Sequence, residues 1–109
     1  MNKVSLVGRV AVDPKVNKTS NGKSYMFLRL AVEGYFDKKT KQMTTDFIPV
    51  MVWGREADKC RNLLKGSLIS IEGRVSAGSF ADSNGEKKFS LDIIAESISF
   101  LSKPKSKGA

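Results

Sequence analysis

Four aromatic side chains are distinguished by their spacing and their neighbours. Phe36 opens a charged stretch, Phe47 and Trp53 lie six residues apart in an extended run, and Phe80 precedes an Asn84-Gly85 turn signal. Six residues is a whole number of strand repeats, so Phe47 and Trp53 share a face with Pro49 and Met51, opposite Ile48, Val50 and Val52. One apolar row is enough to line a core, and a second row of large side chains on the other parity calls for a separate use. Rings on an exposed face stack on unpaired bases, each contributing about 1–3 kcal/mol with little preference among bases. The plainer alternative is that both faces are buried, one inside a barrel and one under a helix or a neighbouring subunit.

Cations interleave with these rings. Lys38, Lys39 and Lys41 follow Phe36, Arg55 follows Trp53, Arg74 precedes Phe80, and Lys87 and Lys88 close the Phe80 segment. Arg9 and Arg29 fall on the outward parity of their strands. The candidate phosphate contacts are Lys3, Arg9, Lys23, Arg29, Lys38, Lys39, Arg55, Arg74, Lys87 and Lys88. Charges that track phosphates beside rings that take bases are what a single-strand groove needs. Asp37, Asp82 and Glu86 offset part of this charge, and any one lysine is also what an ordinary solvated surface carries.

Composition narrows the function classes. The chain has 109 residues, the size of one domain, and a formal net charge of +8 with pI near 9.8 favours polyanionic partners. It contains no histidine, so the commonest general base and the commonest metal ligand are missing. The single cysteine, Cys60, can form neither an internal disulfide nor a zinc site, which makes a reducing cytoplasm the expected setting. No signal-like or membrane-spanning apolar run is present, and no membrane role is expected. A carboxylate-only nuclease would need a metal held by Asp13, Asp37, Asp46, Asp82 or Asp92, whose positions lack ligand-like spacing. The expectation is therefore no catalysis, no metal and no cofactor.

The positioning elements read as strands between turn clusters. Strands are expected over Asn2–Val12, Ser24–Tyr35, Thr44–Trp53, Ser67–Val75 and Lys88–Leu101. Val4, Leu6, Val10 and Val12 point inward, with Gly8 on the same parity where a missing side chain permits a sharp bend. Pro49 predicts an unpaired stretch or bulge, and Asn21-Gly22 marks a polar loop. Phe36–Met43 and Ala77–Lys87 are expected as loops. Arg55–Lys65 is the one helical stretch, with Ala57, Cys60, Leu63 and Leu64 as its buried stripe and Gly66 as its stop. This is the element order of an all-β, five-stranded OB-fold barrel with one short helix between strands three and four, spanning 1–101. Residues 102–109 form a short basic tail, expected to be disordered.

Several short motifs in order resemble the bacterial single-stranded-DNA-binding protein family. They are Asn2-Lys3-Val4-Ser5-Leu6-Val7-Gly8-Arg9-Val10 with Asp13-Pro14, Leu30-Ala31-Val32, Val52-Trp53-Gly54-Arg55, Leu64-Lys65-Gly66-Ser67 and Ile71-Glu72-Gly73-Arg74-Val75. The resemblance covers about residues 2–101. It implies an OB-fold assembled as a homotetramer, with a homodimer as the alternative, that binds and protects single-stranded DNA in the cytoplasm, at the nucleoid, during replication, recombination or repair. It also implies base stacking at Phe36, Phe47, Trp53 and Phe80. Three of these places often hold tryptophan in the family and hold phenylalanine here, with less area and no indole N–H. The family's acidic-hydrophobic tip has no counterpart in this sequence, whose last residues include Lys103, Lys105 and Lys107, so recruitment of replication enzymes by that route is not expected. An RNA-binding or primosome-type OB-fold protein is the alternative function.

Overall fold

Period-two alternation builds almost the whole molecule. The computed structural model describes residues 1–104. Its elements are β1 (Val4–Val10), β2 (Val16–Lys18), β3 (Ser24–Asp37), β4 (Gln42–Trp53), α1 (Arg55–Lys59), β5 (Leu68–Ala81) and β6 (Lys87–Ser102). The strands form one sheet in the order β1-β5-β6-β4-β3-β2, and a further β1–β3 pairing closes it. The short β2 pairs with the start of β3, so five long strands make a closed OB-fold barrel with α1 between β4 and β5.

Closure depends on close backbone approach. Arg9 and Val10 pair with Ala31 and Leu30, and a Cβ at Gly8 would overlap the Ala31 carbonyl. The inward parity is buried: Val10, Met26, Leu28, Leu30, Val50, Val52, Ile69, Ile71, Ala95 and Ile98 form the core, together with Ala57 and Cys60 under the helix. Asn2 extends the β1 edge by donating its side-chain amide to the Val75 carbonyl and accepting from the Val75 N–H.

Several sequence expectations need correction. The loops expected over 36–43 and 77–87 are mostly strand: β3 and β4 run to a tight turn at Lys38–Lys41, and β5 and β6 run to a turn at Asp82–Glu86. Polar composition suggested loops, but an antiparallel hairpin supplies its own backbone partners and needs no apolar face. The helix is only Arg55–Lys59, followed by turns through Gly66, and Leu64 is exposed rather than part of a buried stripe. Val12 lies beyond β1 and is also exposed. Of the two expectations at Pro49, the bulge is absent and the unpaired edge is present, since Pro49 has no β6 partner. It stands just outside Val50–Val52, where β4 pairs in parallel with β6, so no bond to β6 is lost there. Ser102 ends β6, Lys103 and Pro104 follow it, and residues 105–109 of the expected tail lie outside the described residues.

Candidate nucleic-acid interface

Register decides which side chains meet. Directly opposite residues of an antiparallel pair project to the same face. On β3–β4 the pairs Tyr25–Trp53, Phe27–Met51, Arg29–Pro49 and Ala31–Phe47 are in line, and their side chains lie on the face away from the core. Phe47 is 60% exposed. Trp53 is half-buried against Tyr25, with ring centroids 5.4 Å apart, and the Lys23 ammonium stands 5.1 Å over its ring.

Phe36 reaches this face through a bulge. Glu33 pairs with Thr45 and Phe36 with Met43, so β3 carries one extra residue. Without it, Phe36 would face away from Phe47. Gly34 makes the bulge possible, because a Cβ there would overlap the Thr44 hydroxyl. That hydroxyl accepts from the Tyr35 N–H at 2.8 Å and donates to the Tyr35 carbonyl at 3.1 Å, satisfying backbone groups the bulge leaves over.

Phe80 joins the same face across β6. Met51 pairs with Ile94, Ile94 with Arg74, and the regular β5–β6 register then leads to Phe80 opposite Lys88. The sequence-predicted rings Phe36, Phe47, Trp53 and Phe80 therefore lie on one continuous outward surface. Phe36, Phe47 and Phe80 are each more than half exposed. Sequence reasoning passed over Tyr25. Its odd-numbered parity, shared with Phe27 and Arg29, is the same signal that singled out Phe47 and Trp53.

The cations divide by their partners. Lys88 lies between Asp82 at 3.8 Å and Glu86 at 3.6 Å, Arg74 meets Glu96 at 4.0 Å, and Lys3 meets Glu72 at 3.9 Å. The Arg9 guanidinium donates to the Gly66 carbonyl at 2.9 Å and is half-buried, a bond that ties β1 to the approach of β5. Lys87 stands 5.5 Å over the ring of Phe89. Arg29, Lys38, Lys39 and Arg55 make no ion pair among the described residues. Binding of a polyanion leaves those four free to meet phosphate, whereas Lys88 must first exchange carboxylates for phosphate.

The carboxylates serve the fold. Asp37 accepts from the Lys39 N–H, and Asp82 accepts from the Asn84 and Glu86 N–H groups, so each organises a hairpin turn. Asp58 lies below the usual carboxylate range because Ser24 donates to it at 2.6 Å. Burial works against ionisation of Glu56, but the Ile98 N–H at 2.9 Å and Lys59 outweigh it and hold that carboxyl low. No three His, Cys, Asp or Glu side chains gather as a metal-ligand group among the described residues. Burial pushes the Cys60 thiol up to about 11, which keeps it in the poorly nucleophilic thiol form. No described helix is long and apolar enough to cross a membrane.

Comparisons with known proteins agree with this fold. The model of the Single-strand binding protein family matches residues 1–101. Single-stranded DNA-binding protein 3 of Clostridium acetobutylicum is 38% identical over 93% of this chain and 71% of its own length. Single-stranded DNA-binding protein A of Bacillus subtilis is 36% identical over 99% of this chain, which spans 63% of that relative. The crystal structure of a deletion mutant of the single-stranded DNA binding protein from Thermus aquaticus superposes with a TM-score of 0.78 at 30% identity, covering 99% of this chain and 52% of that one. With a closed five-stranded barrel and a family match over nearly its whole length, this chain belongs to the single-strand binding protein family.

Proposed function

We propose that this protein binds single-stranded DNA without sequence preference and shields it during replication, recombination or repair, with no chemistry performed on the strand. The observation that carries this reading is the run of rings on one outward face, the exposed Phe36 and Phe47 and the half-buried Trp53 on β3–β4 and the exposed Phe80 on β5–β6, with unpaired cations beside it. Lys38, Lys39, Arg29 and Arg55 draw in the phosphates, and the counterions they release favour binding. The rings then stack on bases, which a duplex hides, so single strands are preferred over double. Lys3, Lys23, Arg74, Lys87 and Lys88 add phosphate contacts at the margins, while Arg9 acts chiefly through its bond to Gly66.

The working unit is a homotetramer in the cytoplasm. Two features support assembly: Val4–Gly8 have a strand partner on only one edge among the described residues, and Phe89 and Leu91 are 78% and 72% exposed. Both features suit contacts between copies, and linked copies on one strand raise avidity through local concentration.

Titration with oligo-thymidine, followed by the fluorescence of Trp53 at several salt concentrations, tests the proposal. Quenching and tight binding that weakens as salt rises are expected. No binding at low salt overturns it, and tighter binding to a matched RNA strand redirects it to RNA.

A further inference from the structure

Between Phe47 and Trp53 the outward row of β4 carries Pro49 and Met51, which offer no ring. The neighbouring strand fills that gap. Phe27 stands opposite Met51 and is 62% exposed, although the core beneath it is closed by Leu28 and Val50. Beside it lies an open groove of about 320 Å³, lined by Val12, Phe27, Leu28, Arg29 and Pro49. Arg29 is the next residue of β3 on the same face, and its guanidinium has no carboxylate partner among the described residues. On the other side of Phe27, Tyr25 leans on Trp53.

An exposed ring alone would suit any apolar partner. An unpaired cation at its edge selects an anionic one, and its position on the platform selects the strand already held there. By strand rise, Phe27 lies about 13 Å from the level of Phe47 and about 7 Å from the level of Trp53. We infer that Phe27 is a further stacking position: it takes an unpaired base of the strand running between Phe47 and Trp53, and Arg29 contacts the adjoining phosphate in the groove. This rests on the single-strand reading above and deepens it, because the path becomes Phe36, Phe47, Phe27, Trp53 with no ring-free interval on β4.

The test compares Phe27→Ala, Phe27→Leu and Phe27→Tyr with the parent protein. Binding to labelled oligo-thymidine is read by anisotropy, and subunit number by sedimentation. Leucine keeps the apolar cover on Met51, so the fold is preserved while the ring is lost. Both ring-less variants are expected to bind about 5- to 150-fold more weakly at unchanged subunit number, and Phe27→Tyr to bind near the parental level. Arg29→Ala is expected to lower the slope of log affinity against log salt by about 0.7. Parental binding by both ring-less variants, alongside a loss in Trp53→Ala, overturns the inference and leaves the single-strand reading standing. A change of subunit number in those variants at parental affinity per site also overturns it, since Phe27 would then cover a neighbouring copy. Absence of binding by the parent protein removes the single-strand reading itself, and the inference with it.

Discussion

The two long hairpins carry the same ingredients in different arrangements. On β3–β4 five rings, Tyr25, Phe27, Phe36, Phe47 and Trp53, share one outward face, with Tyr35 alone in the bulge beside it, and the nearby cations Arg29, Lys38 and Lys39 have no acidic partner among the described residues. On β5–β6 the aromatics are split, Phe80 outward with Phe89 on the opposite face, and Lys88 is held by Asp82 and Glu86. Composition alone makes the two look alike. Register and ion pairing separate them: β3–β4 carries several rings beside cations without ion pairs, whereas β5–β6 carries one ring on that face, with Lys88 and Arg74 ion-paired and Lys87 turned to Phe89.

Removing two rings from β3–β4 gives the largest expected effect. Phe47 and Trp53 lie about 20 Å apart by strand rise, far enough for their contributions to add. The double variant Phe47→Ala/Trp53→Ala should weaken oligo-thymidine binding by about 2–6 kcal/mol, measured by labelled-strand anisotropy. A loss no greater than that of one ring would mean that β4 is not the main platform. On the other hairpin, Phe80→Ala should cost about 1–3 kcal/mol in the same assay. No loss there would confine the interface to β3–β4.

Salt dependence sharpens the electrostatic half of the contrast. Lys38→Ala/Lys39→Ala should reduce the slope of log affinity against log salt by about 1.4, the sum of two single-strand phosphate contacts. Lys88→Ala should reduce it by much less, because its ammonium already has two carboxylates nearby. Equal slopes for the two variants would erase the distinction drawn between the hairpins.

The barrel was legible because alternation is a strong signal when one face is buried. Met26, Leu28 and Leu30 against Val50 and Val52 could be assigned inward from parity alone. The hairpin tips were not legible in this way. Beyond the barrel neither face is covered, so residues such as Ser76, Gly78 and Lys88 follow no apolar period, and strand there is held by backbone pairing that composition does not report. The four candidate rings could be singled out, but the placement of Phe36 could not: counted by parity it belongs with Val32 and Ile48, and only the bulge at Gly34 brings it round. Ion pairing was equally hidden, since Lys39 and Lys88 look the same in sequence and differ only in what stands within 4 Å.

The smallest effect is expected away from both hairpins. Glu56 ties α1 to β6 through the Ile98 N–H, and its carboxyl is held below the ordinary value of 4.5. A carboxyl with a folded pKa below its unfolded one adds stability above the unfolded value, and loses it as pH falls through the folded one. The thermal stability of the parent should therefore fall progressively below about pH 4.5, read as a lower unfolding temperature. Glu56→Gln keeps an acceptor for Ile98 and should flatten that decline, with strand binding at neutral pH unchanged. An acid limb as steep as the parent's would place the acid sensitivity elsewhere, with Asp58 and its Ser24 bond the next group to test.

The bulge between Glu33 and Phe36 also bears on how the interface tolerates change in length. Two aromatic residues, Tyr35 and Phe36, stand side by side where the extra residue is inserted. With the bulge in place, Phe36 faces the platform. If the hairpin tip slid by one residue and the bulge vanished, Tyr35 would take that place opposite Met43. Loss of Gly34 alone would straighten the strand and still leave Phe36 there. Each of these arrangements presents a ring on the outward face opposite Met43, so this corner of the sheet has a spare aromatic that an ordinary strand, thrown out of phase by one residue, would lack.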